Sequence, residues 1–165
     1  GVLHTEAVMG KAVTREAFTS RLARNSLIHF QGPAHHDPQD PLGSHLVLAG
    51  DAHFTTRDIL DLPYLHAGLV TLGSCDSPAT IPGQQPLSLI PAFLSTGAES
   101  VLATLWPVYE PSAAQAMHHF YELLTTSDGA LDKARALQAA ALKLKVDERF
   151  IAPYHWAPFV LHGAW

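Results

Sequence analysis

Cys75 is the only cysteine in the chain, and it follows directly on an apolar run, Ala67-Gly68-Leu69-Val70-Thr71-Leu72. The run breaks into Gly73-Ser74-Cys75-Asp76-Ser77-Pro78. A strand that ends in small residues and a thiol is how an α/β protein presents a nucleophile at the carboxyl edge of its sheet. A thiol attacks as its thiolate, so it needs a base, a positive dipole or a cation beside it. The loop after an earlier strand-like run, Ser26 to Gln31, carries His35 and His36, with Asp37 placed to orient an imidazole. Against this stands a plainer reading. A free cysteine is often a small buried hydrophobe, and loop histidines are often only solvated. Residue types and spacing leave both readings open. His29, inside the run itself, reads as a core or ladder residue.

Other chemistries have less support. The chain has 11 histidines, but no HExxH motif and no second cysteine that would mark a zinc site. His118 and His119 are adjacent on a helical pattern, so their Cα–Cβ bonds diverge by about 100°, which argues against joint chelation. Gly73, Gly83 and Gly97 form neither GxGxxG nor a P-loop, and Ser74 and Ser77 lack the GxSxG frame. Neither cofactor nor metal is expected. Trp106, Trp156 and Trp165 read as core or lid anchors.

The elements that must position these residues alternate. Val13-Thr14 opens a helix, with Thr14 as cap and Val13 and Phe18 at the hydrophobic-staple positions. A strand follows from Ser26 to Gln31, then a loop from Gly32 to Gly43, then a short strand from Ser44 to Ala49 in a small hairpin. Thr55, with Asp58 three residues on, starts a short helix stapled by Phe54 and Ile59. After the Ala67–Leu72 strand and a proline-rich loop, a helix runs from Leu87 to Thr96 and stops at Gly97. Glu99 to Trp106 reads as a strand, Glu110-Pro111 starts the longest helix, and Leu131 to Leu144 is a second amphipathic helix. His155 to His162 reads as a last strand, at a sheet edge because of Pro158. Strands alternating with helices imply one mostly parallel sheet covered on both faces, with the loops after Gln31, Leu72 and Trp106 converging on one edge.

Length and composition agree with a single such domain. The chain has 165 residues, 47% of them hydrophobic and only 15% charged, with a net charge of -5. That balance and the lack of a basic cluster exclude a nucleic-acid binder. Lys133, Arg135, Lys143 and Lys145 read as the solvated face of a helix. A lone cysteine gives no reason for an oxidising compartment, no apolar run spans a membrane, and no signal peptide is evident. A cytoplasmic location is the expectation. The start at Gly1, without Met, suggests a piece of a longer polypeptide.

Together these residues resemble the CHAT domain, a caspase-like module of the clan that includes separase. Leu72-Gly73-Ser74-Cys75-Asp76-Ser77 is similar to that family's Leu-Ser-Ala-Cys-Glu-Thr-Gly motif. Residues 92–108, from Ala92-Phe93-Leu94 to Trp106-Pro107-Val108, resemble its most recognisable stretch. Residues 120–124, 134–140 and 154–163 match further segments in order. The resemblance implies a caspase-like α/β/α sandwich, lacking here the first strands of a full domain, and a Cys-His dyad. Cys75 matches the nucleophile. The histidine segment falls on His29-Phe30-Gln31-Gly32-Pro33-Ala34, which puts Pro33 where the catalytic histidine stands and Ala34 on its following glycine. Pro78 replaces a glycine whose neighbourhood serves the oxyanion site. Proline has neither a titratable group nor an N–H, so the resemblance implies a domain of peptidase lineage with weakened or lost proteolysis, serving protein interaction or signalling. Its alternative is an active endopeptidase with Cys75 as nucleophile, His35 or His36 as base, and the backbone at Gly73 and Ser74 holding the oxyanion. The implied partner is a protein or peptide, and such modules commonly follow tetratricopeptide repeats in the parent chain.

Overall fold

The structure is a computed structural model that describes residues 7–73, 89–126 and 132–164. The helices begin where side chains can cap them. Thr14 accepts a hydrogen bond from Ala17 N at 3.2 Å and opens α1, Arg15–Leu22. Thr55 and Asp58 form a reciprocal capping box that opens α2, Thr56–Leu60. α3, Leu89–Ser95, closes in a Schellman turn: Ala98 N donates to Phe93 O and Gly97 N to Leu94 O. Gly97 sits at φ 111°, and a Cβ there would lie 2.4 Å from Leu65 O, so glycine is required at this point. α4, Glu110–Thr126, and α5, Lys133–Lys145, follow as expected, α5 being capped by Asp132.

The main sheet has four strands in the order β1, β5, β6, β7. β1 (Leu27–Phe30), β5 (Leu69–Leu72) and β6 (Ser100–Thr104) are parallel, and β7 (Phe159–Gly163) runs antiparallel to β6 at the edge. Alternation along the strands builds three layers. Val70, Leu72, Val101 and Ala103 pack with Phe18, Phe93 and Ile59 on one side. Leu69 and Leu102 pack with Phe120, Leu124 and Ala140 of α4 and α5 on the other. This is the α/β/α sandwich implied by the resemblance.

Three expectations need correction. The loop from Gly32 to Gly43 contains a two-residue strand, β2 (Ala34–His35), which pairs with β3 (His45–Val47), itself paired with β4 (His53–Thr55) in a small antiparallel sheet. The last strand begins at Phe159, not His155, because Pro153 starts a one-turn helix, α6 (Pro153–Trp156). Lys133 is not on a solvated face. It is buried, with Nζ donating to Ser100 Oγ at 2.8 Å and lying 3.4 Å from Glu99 Oε2.

Candidate active site at the carboxyl edge of the sheet

β1 and β5 end side by side, with Phe30 opposite Leu72 and Gly73 N donating to Phe30 O at 2.8 Å. The chain beyond Gly73 carries Ser74 and Cys75, which lie outside the described residues. Gly73 itself is at the rim. Its N–H already closes the ladder to β1, so an oxyanion donor at Gly73 would have to share that hydrogen with Phe30. A small crevice opens at this edge, lined by Gln31, Gly73, Thr104, Val108 and Met117.

The imidazole that the structure brings to this rim is His29. A Cβ added to Gly73 would lie 3.5 Å from His29 Nε2 and 2.1 Å from Gln31 Oε1. The sheet face that carries His29 looks onto α4, where Tyr121 Oη stands 3.0 Å from His29 Nδ1 and 2.8 Å from Thr71 Oγ1. Burial pushes the Tyr121 phenol up to about 12, against a smaller opposing effect of Thr71, so the hydroxyl keeps its proton. One arrangement satisfies all four groups: Thr71 donates to Tyr121, Tyr121 donates to Nδ1, and Nε2–H donates to the Gln31 amide oxygen. His29 as a residue is exposed along the open side of β1. Its ring nonetheless lies against Tyr121, and lost hydration there lowers its pKa, partly offset by Gln31. The ring is neutral, with its Nε2 edge beside the start of the Cys75 segment. Sequence reading placed His29 in a ladder and missed this, because its partner Tyr121 is 92 residues away. The available signal was the alternation that sets residue 29 on the α4 side.

Pro33 and the two loop histidines belong to the small sheet and its flanking turn. Val47 N donates to Pro33 O at 2.9 Å, which ties the chain at residue 33 to the small sheet. His35 stands opposite His45 in that sheet, ring centroids 5.3 Å apart, and His45 stacks on His53 at 3.7 Å. His36 Nδ1 lies 3.3 Å from Ser44 Oγ, whose hydroxyl also accepts from Asp37 N. Asp37 is held below the usual carboxylate range chiefly by the N–H groups of Gln39 and Asp40, with lesser help from His35 and His36. Both histidines thus have neighbours of their own within the small sheet and its flanking turn.

The parallel order and the position of Pro33 are now joined by a comparison. The CHAT domain family model matches residues 2–164. The chain belongs to the CHAT domain family. This CHAT domain is 35% identical over 111 residues to human tetratricopeptide repeat protein 28, and 32% identical over 111 residues to its mouse counterpart. Each match covers 67% of this chain and 4% of the relative, so the domain spans a small fraction of those proteins.

Away from the rim, the CHAT domain has a second cluster. Donor atoms of His118, His119 and Glu122 lie within 4.8 Å of one another on α4. The two rings are 5.6 Å apart, tilted by 59°. The divergence of adjacent Cα–Cβ bonds does not keep the donors apart, because the side chains swing toward the same helical turn. No described helix is long and apolar enough to cross a membrane.

Proposed function

We propose that this CHAT domain is a protein-interaction module of cysteine-peptidase lineage whose proteolysis is weakened or lost. The observation that carries this reading is Pro33 at the family's histidine position, its carbonyl bound to Val47 N. A proline there cannot accept a proton from a thiol, and loss of a dyad's base removes roughly 10²–10⁴-fold of rate. The interaction surface is the outer edge of β1. Ser26 O and Phe30 O bond inward to β5, so in a parallel ladder Leu27 and His29 point their backbone groups outward. Among the described residues these groups have no partner. A groove of about 570 Å³ runs along this edge, lined by Val13, Phe18, Leu22, Ile28 and Arg21. The guanidinium of Arg21 has no ion pair among the described residues. An extended segment with alternating apolar side chains and a carboxylate for Arg21 fits this edge, supplied by the parent polypeptide or by a partner protein. Helical repeats elsewhere in the parent polypeptide, as the names of the relatives suggest, would bring that partner close, and a lone thiol suits the reducing cytoplasm.

His29 favours a second reading, a residual endopeptidase. There Cys75 Sγ bonds to the scissile carbonyl carbon, and its proton passes to an imidazole and then to the leaving amine. N–H groups at Gly73 and Ser74 hold the oxyanion, the former leaving Phe30. The base is His35 or His36, or else His29 at the rim.

Labelling of Cys75 by an electrophilic peptide at neutral pH separates the two. The first reading expects slow labelling that rises about tenfold or more in Pro33→His with Ala34→Gly. Fast wild-type labelling, abolished by Cys75→Ala and reduced by His29→Gln, would establish the second.

A further inference from the structure

The cluster on the outer flank of α4 is independent of the carboxyl-edge site. His118 is exposed, while His119 and Glu122 are half-buried. His119 Nδ1 is sealed from solvent and has no hydrogen-bond partner among the described residues. It lies 3.6 Å from Glu122 Oε2, too far for a hydrogen bond. A buried ring nitrogen without a partner is a cost that folded proteins rarely leave standing. The spacing itself is informative. Two ligands at 2.0–2.2 Å from a tetrahedral zinc ion stand about 3.4 Å apart, against 3.6 Å for His119 Nδ1 and Glu122 Oε2, while all three donors fall within 4.8 Å of one another. Two imidazoles and one carboxylate are a usual zinc donor set. Lys143 Nζ lies 3.3 Å from Glu122 Oε2.

We propose that His118, His119 and Glu122 form a binding site for a divalent transition ion of the zinc class, with Lys143 occupying the carboxylate until the ion displaces it. Three protein donors leave a fourth position for water or for a ligand from outside the helix. The ammonium of Lys143 is then the internal competitor. It neutralises Glu122 in the metal-free protein and lowers the apparent affinity.

The test is a Zn²⁺ titration of the chain in competition with a chromophoric chelator. One equivalent should bind with an affinity that falls about tenfold or more in each of His118→Ala, His119→Ala and Glu122→Gln. Lys143→Met should bind several-fold more tightly, a gain that misfolding does not produce. The chain's other histidines are controlled by the triple variant of the three ligands. Wild-type affinity in that triple variant, or no binding by the wild-type chain, overturns the site. Unchanged or weaker binding by a folded Lys143→Met overturns the role given to Lys143.

Discussion

A single phenol decides the state of His29. Tyr121 presents a hydroxyl that stays protonated, since burial holds its pKa at about 12, and aims it at Nδ1 from 3.0 Å. The ring therefore has a donor facing one nitrogen and an amide oxygen facing the other, a pairing that suits the neutral tautomer with its proton on Nε2. Desolvation lowers the pKa of His29 in the fold. The sign follows: the unfolded chain takes up a proton near pH 6.5 that the folded ring refuses. The stability linked to this residue is present above that pH and is lost as pH falls toward the folded pKa. Urea unfolding at a series of pH values from about 7.5 to 5 should show a steeper loss in the wild-type chain than in His29→Gln. Equal slopes would mean that the ring titrates alike in the folded and unfolded chains. Tyr121→Phe should cost about 1–3 kcal/mol, because it strands the buried Thr71 hydroxyl as well as Nδ1. These residues also mark what a sequence offers at this scale. The rim at Gly73 was legible from a strand running into small residues; Cys75 itself lies outside the described residues. The neighbour of that rim was not, because nothing local ties residue 29 to residue 121.

At the scale of elements, local signals were read well and tertiary ones were not. Thr14, Thr55 with Asp58, and Gly97 each fix a helix end through groups within a few residues, and each stands where the pattern put it. β2 escaped because a two-residue strand exists only through its pairing with β3. α6 escaped because Pro158 and the apolar run after it suggested a strand from His155 onward, while Pro153 opens a helical turn first. Lys133 is the sharpest case. On α5 it is one of several basic residues, but the docking of that helix drives its ammonium to Ser100 at the start of β6. Ser100 in turn donates to Ala164 O, so one cation joins α5, β6 and the chain after β7. Lys133→Ala should therefore destabilise the fold by about 1–3 kcal/mol. Arg135→Ala, two residues on and 86% exposed in its pair with Asp132, should cost at most about 1 kcal/mol. Denaturant midpoints of the two variants compare them directly. Equal losses would show that Lys133 contributes no more than a surface ion pair.

For the whole molecule the decisive asymmetry is between the two edges of the sheet. β7 closes one side antiparallel to β6, preceded by Pro158. That is a usual way to blunt an edge. β1 bounds the described sheet on the other side, with outward ladder groups at Leu27 and His29 and an apolar groove beside them. An unblunted edge is a template for another strand, and here it ends at the same rim as Gly73. A segment added to β1 would thus lie beside His29, which couples this edge to the carboxyl rim of the sheet. A fluorescent peptide alternating valine with glutamate should bind the domain. Affinity should fall about tenfold on Arg21→Glu, through loss and reversal of one charge pair. It should fall further when alternate peptide nitrogens are methylated, because methylation removes the N–H donors that face Leu27 and His29 without changing side chains. Equal binding of the methylated and unmethylated peptides would refute strand addition, and with it the idea that an open ladder is how this domain engages its partner.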